Sequence, residues 1–111
     1  MDFKITLLTY IIPGFASVLA IPMALGLIPP NRYYGFRTTR TLASTDLWYK
    51  GNRICGYCLF LAGIAAIGHN LFFLHDHPDW SSNAKQFFMA VSNGVLLLMG
   101  VAVSAYYVRK L

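Results

Sequence analysis

The sequence predicts an all-α integral membrane protein, a bundle of three helices with its N-terminus outside and its C-terminus in the cytoplasm. Three observations carry this expectation. Uncharged apolar runs occupy residues 5–28, 54–74 and 87–108, each of at least the roughly 20 residues that a helix needs to cross a bilayer. Only 12% of the side chains are charged against 57% apolar, whereas soluble domains carry about 25% charged residues. The four acids, Asp2, Asp46, Asp76 and Asp79, and all nine Lys and Arg lie outside the runs, which keeps them from the hydrocarbon, where each would cost about 2.5 to 3.5 kcal/mol at a helix centre. A chain of 111 residues has too small an interior to hide so much apolar surface from water.

The first run reads as a helix of 24 residues, about 36 Å at 1.5 Å per residue. Pro13-Gly14 and Pro22 lie inside it, and each proline removes a backbone donor and presses on the preceding turn, so a kink is expected. A signal peptide is the rival reading, but Asp2 and Lys4 cancel and the run exceeds the usual 7 to 15 residues of a signal's apolar region. Pro29 and Pro30 are expected to end this helix. The second and third runs, of 21 and 22 residues, are helices joined by a short polar connection, residues 75–86. The whole chain, 1–111, reads as one domain without repeats or a linker. Aromatic belts are expected at Tyr33, Tyr34, Trp48, Tyr49, Tyr106 and Tyr107 on one side and at Trp80 and Phe87 on the other.

Orientation follows from the cations. Arg32, Arg37, Arg40, Lys50, Arg53, Arg109 and Lys110 lie on one side of the predicted spans and only Lys4 and Lys85 on the other. Positive charge favours the cytoplasm, which places the connection 29–53 and the C-terminus there. The pI near 9.5 points to anionic lipid headgroups as partners rather than nucleic acid, because no basic soluble domain or recognition motif accompanies it.

The first connection is where chemistry concentrates. Gly35 permits a turn, and Ser44, Thr45 or Asp46 can cap a helix running through Trp48 into the second span. On that helix Trp48, Asn52 and Gly56 share one face, and Tyr49 and Arg53 the next. Arg37, Thr38, Thr39, Arg40 and Thr41 set forked guanidinium donors beside hydroxyls near a helix N-terminus, the chemistry of an anion site for a lipid phosphate or a peptide carboxylate. The same residues also suit plain membrane-surface anchors with threonines completing turns, and the number of arginines alone does not separate the two.

Asn31, Gly35, Phe36, Arg37, Thr38 and Thr41, followed by Trp48 and then Asn52-Arg53-x-x-Gly56, resemble the SdpI family of bacterial membrane proteins, in the short, YfhL-like three-helix form rather than the longer form with additional preceding helices. The resemblance covers the loop and its flanking helices, with the third span matching in position only. It implies a multi-pass protein of the bacterial cytoplasmic (inner) membrane that gives immunity against a secreted, membrane-active toxin peptide, by binding the peptide or shielding its target, with those ten residues as the binding motif. In one member the family also signals by holding a repressor at the membrane. Beside this stand two other readings: a membrane enzyme that uses a lipid or phosphate ligand through Arg37, Arg40 and Arg53 with His69 or Asp46 handling a proton, and a small accessory subunit.

Other features carry less. Cys55-Gly56-Tyr57-Cys58 has redox spacing but starts a membrane helix without a thioredoxin-like setting, so packing is the expected role. His75, Asp76, His77 and Asp79 are adjacent in one turn, too close together to close a tetrahedral metal shell, and no metal or cofactor is expected. His69 and Asn70 fall inside the second span, where polar side chains face partner helices or a cavity. Asn93 or Ser92 is the expected partner for glue between helices, and an intramembrane polar site is the alternative. Ala62, Gly63 and Ala66 offer a small-residue face for a neighbouring helix, internal or from a second protomer. No catalytic Ser/His/Asp set, carboxylate pair or phosphate loop is present, so catalysis lacks its usual parts.

Overall fold

A computed structural model describes the backbone of residues 3–76 and 81–111 and the side chains of residues 9–73, 81 and 83–111. It contains three helices, α1 (Phe3–Ala24), α2 (Thr45–Asp76) and α3 (Ser82–Arg109), and no strand among the described residues. The stretches Thr45–Phe73 and Asn83–Arg109 are long and apolar enough to cross a membrane, and α1 adds a shorter apolar stretch, Thr9–Ala24. The bundle measures 52 × 23 × 18 Å. α2 is its spine: α1 and α3 each pack along it and touch one another little.

The distribution of side chains is inverted relative to a soluble bundle. Facing outward are Leu61, Phe72, Phe87 and Leu98, each 64 to 73% exposed, while Thr9, Ser17, Asn52, Asn70, Asn93 and Ser104 are buried. Water would reverse that choice, because apolar surface is driven inward and polar groups stay out. A hydrocarbon solvent favours what is seen, with polar groups paired inside and aliphatic groups turned to lipid.

Small residues bring the helices close. A side chain on Gly56 would run into the backbone of Ala20 and Ala24 on α1, and one on Gly63 into Ser17 and Pro13. Ala62 lies against Gly100 of α3. The neighbours of the predicted small face, Ala62, Gly63 and Ala66, are therefore the internal helices.

The helix bounds differ from the sequence reading in an instructive way. α1 stops at Ala24, short of Pro29. Gly26 adopts φ +72°, its N–H bonds to Met23 O at 3.1 Å and the Leu27 N–H to Pro22 O at 2.9 Å, the paired closure of a helix end around a left-handed glycine. Glycine at 26, not the two prolines, ends the helix. α2 begins at Thr45 because Ser44 caps it: its Oγ accepts the Leu47 N–H at 3.1 Å. α3 begins five residues before its apolar run, where the Ser81 hydroxyl accepts the Ala84 N–H at 3.1 Å.

Within α1 the helix runs unbroken through Pro13 and Pro22. Pro13 has no N–H for the carbonyl of Thr9, four residues earlier. Two other helices supply the missing donors. Asn93 Nδ2 of α3 reaches Thr9 O at 3.0 Å, and Asn70 Nδ2 of α2 reaches it at 3.3 Å. The expected Asn70–Asn93 pairing is thus indirect, through one shared carbonyl.

Candidate functional site

The segment between α1 and α2 is a folded cap held onto the bundle by side chains of its own motif. Asn31 closes its first turn: Oδ1 accepts the N–H groups of Tyr33 and Tyr34 at 2.9 and 2.7 Å, and Nδ2 donates to Pro29 O and Tyr34 O at 2.8 and 2.9 Å. An asparagine bonding its local backbone in this way fixes a turn without help from neighbours. The Tyr34 hydroxyl donates to Leu19 O of α1, and burial pushes its phenol above the ordinary tyrosine range.

Gly35 then takes φ +126°, a conformation that side chains resist. A Cβ there would also meet Asn52 Oδ1 at 2.7 Å and the Trp48 ring at 2.9 Å. The glycine thus lets the loop lie directly on α2. Phe36 is pinned at this contact: its N–H donates to Asn52 Oδ1 at 2.6 Å, and Asn52 Nδ2 donates to Trp48 O at 2.9 Å and Phe36 O at 3.4 Å.

Thr41 is the second knot. Fully buried, its Oγ1 accepts the Thr38 N–H at 2.8 Å and sits 2.9 Å from Phe36 O, to which it donates, while Thr38 Oγ1 accepts the Thr41 N–H at 3.2 Å. The sequence position of Trp48 predicts a place in an interfacial belt. The side chain is instead 1% exposed beneath the loop, and its indole N–H donates to Ile28 O at 2.9 Å. A buried indole needs such a partner.

Asn31, Gly35, Phe36, Thr38, Thr41, Trp48, Asn52 and Gly56 are therefore brought together, and their polar groups are engaged in holding the cap and the α1–α2 approach. Arg37 and Arg53 are not part of this lattice. Arg37 is exposed and makes no side-chain hydrogen bond or ion pair among the described residues. Arg53 lays its guanidinium over Gly26, at the C-terminal end of α1, where a cation is favoured by the helix dipole.

Arg37, Arg40 and Arg53 do not converge on one point. Thr38, Thr39 and Arg40 line one groove with Ala105, Val108 and Arg109 of α3. Arg53 lines another, of about 470 Å³, with Asp46, Tyr49, Lys50, Ile54, Tyr57 and Leu111. Asp46 is engaged by Lys50 at 3.0 Å in an exposed pair. A third groove, of about 310 Å³, opens beneath the loop: Tyr34, Gly35 and Phe36 roof it, α1 residues from Ala16 to Met23 form one wall, and Val101 of α3 contributes to the other.

At the other end of the bundle, Asn70 is engaged as described, and His69 stacks on Phe73 and Phe88, with ring centroids 6.1 and 5.8 Å apart. Cys55 and Cys58 are free thiols, Cys55 buried. Of the candidate metal residues, His75 and Asp76 form the last turn of α2 with their side chains outside the described ones, and His77, Asp79 and the belt residue Trp80 lie outside the described residues. Sequence reasoning missed Thr9, Gly26 and Gly51, the last packed against Thr41, and gave Tyr34 a place in the aromatic belt without its bond to α1. For Thr9 the signal was available, since a proline four residues later always leaves a helical carbonyl without its donor.

Residues 27–108 match the model of the SdpI/YfhL protein family. That stretch contains the cap, α2 and nearly all of α3. No curated protein and no solved structure matches the chain.

Proposed function

The chain belongs to the SdpI/YfhL protein family, and on that premise we propose that it is an immunity protein of the bacterial cytoplasmic membrane. It protects its host from a secreted, membrane-active toxin peptide by engaging the peptide, or shielding what the peptide attacks, at the folded cap. The observation that supports this most is a division of labour in the motif. Eight of its residues are committed to a hydrogen-bonded, close-packed platform, and Arg37 stands out from that platform with no partner for its guanidinium among the described residues. A loop serving only as a charged tether needs no such lattice. The groove roofed by Tyr34 to Phe36, the residues that lead into Arg37, offers an apolar surface suited to a peptide that is itself part apolar. On this reading the cap faces the cytoplasm, in line with the seven-to-two bias of Lys and Arg, and no reaction is catalysed.

Survival under toxin challenge, normalised to the abundance of each variant in the membrane fraction, tests the proposal. Arg37→Lys keeps the charge and loses the planar fork, so it weakens a bidentate contact by roughly 1 to 3 kcal/mol, about 5- to 150-fold in affinity. Arg109→Lys leaves protection unchanged. An Arg37→Lys protein as protective as the parent reduces the loop to a charged anchor. Trp48→Ala is a poor probe because it removes a buried support of the cap.

A second reading, recognition of an anionic lipid phosphate, draws on the groove lined by Tyr49, Lys50, Arg53 and Tyr57, which combines cations with an aromatic wall. Loss of a co-purifying anionic lipid from Arg53→Ala, with toxin survival unaffected by Arg37→Lys, would move the assignment there.

A further inference from the structure

Away from the cap, five buried side-chain polar atoms have no hydrogen-bond partner among the described residues: Tyr10 Oη, His69 Nδ1, Asn70 Oδ1, Gln86 Nε2 and Asn93 Oδ1. They come from all three helices. Asn70 is fully buried, and Gln86 and Asn93 are each 5% exposed. The orientation of both asparagines is fixed by chemistry, since Thr9 O only accepts and so draws the Nδ2 of each. Their side-chain oxygens are thereby turned elsewhere.

These groups are arranged along the bundle. Gln86 is in the second turn of α3 and Asn93 two turns deeper on the same face, about 10 Å further along the axis. Asn70 meets Asn93 at Thr9 O, Tyr10 is next to Thr9, and His69 adjoins Asn70. The set mixes a donor, two acceptors and two groups that serve as either. Lipid chains offer such groups nothing, whereas water donates and accepts and fits a polar interior that presents several partners.

We propose that this end of the bundle holds a hydrated polar column, running from Gln86 to Asn93, in which water serves the Asn70 and Asn93 side-chain oxygens. The proposal is independent of the cap's role.

Thiol reactivity tests it, because a thiol ionises and reacts with a charged methanethiosulfonate only where water reaches it. In nanodiscs, with Cys55 and Cys58 replaced by Ser, single cysteines are compared at Asn93, at Asn70, at lipid-facing Val95 and at exposed Asn83. Either asparagine can be replaced singly without orphaning Thr9 O, since the other still donates to it. Asn93→Cys and Asn70→Cys are expected to react at least tenfold faster than Val95→Cys and slower than Asn83→Cys. Rates no faster than at Val95→Cys overturn the column. Should neither asparagine variant accumulate, the unsubstituted protein decides: hydroxyl radicals made from water in place by X-rays should oxidise Met89, which is fully buried between Gln86 and Asn93, and an unmodified Met89 overturns the proposal.

Discussion

Replacing Asn52 by Ala tests whether the cap is held as described. Asn52 accepts the Phe36 N–H at 2.6 Å and donates to Trp48 O and Phe36 O at 2.9 and 3.4 Å. After truncation Trp48 O keeps its bond within α2, and Phe36 O keeps Thr41 Oγ1, so one group, the Phe36 N–H, is orphaned. A buried donor left in that state costs about 1 to 3 kcal/mol. Phe36 is only half-buried, which puts this contribution toward the lower end, and lost packing against Gly35 adds to it. The expected total is about 2 kcal/mol. Trp48 is a built-in reporter, buried and bonded to Ile28 O, once Trp80 is replaced by Phe. Denaturant titration in mixed micelles, followed by Trp48 emission, should show a lower midpoint and an earlier red shift for Asn52→Ala. Arg37→Ala, exposed and unpartnered, should stay within about 0.5 kcal/mol of the parent. Equal midpoints for the two variants would refute the lattice of the cap.

Two further perturbations address packing and the shared carbonyl. Gly56→Val drives a side chain into α1 backbone, with Ala20 O 2.8 Å from the position of its Cβ. It should reduce membrane-fraction abundance severely, whereas Gly94→Ala, with nothing within 4 Å, should be neutral or raise thermal stability by up to about 1 kcal/mol. Pro13→Ala returns an N–H to Thr9 O, so Asn93→Leu should be less damaging in that background than in the parent. A double-mutant cycle of unfolding free energies should give a coupling of about 0.6 to 1.7 kcal/mol, and strict additivity would show that the asparagine does not serve that carbonyl.

The helices were legible because a bilayer imposes a length and a charge rule that can be counted along a chain. Their ends were less so. Ser44 and Gly26 act through local bonds that compete with nearby alternatives, and the two prolines after Ile28 masked the glycine before them. In the loop, residue types and spacing marked a special segment without telling what each member does. Thr38 and Thr41 look like ligands beside arginines, yet their hydroxyls turn to Phe36 and to one another's backbone, a choice made by the path of the chain. Trp48 shows the same limit: its position suits an interfacial belt, and only the fold of Gly35 over it reveals a buried support. Arg53 was grouped with Arg37 by sequence proximity to the motif, but a helix end at Gly26 draws it aside.

The proline in α1 also has a consequence for how the protein is made. α1 emerges first and, by itself, enters the bilayer with the Thr9 carbonyl open, a state that hydrocarbon penalises by several kcal/mol. The donors that close it, at residues 70 and 93, are translated later, the second near the end of the chain. Closure of the first helix therefore waits on the synthesis of the other two, α2 bringing the first donor and α3 the second. A ribosome stalled before α3 leaves that carbonyl to Asn70 alone, the longer of its two contacts at 3.3 Å.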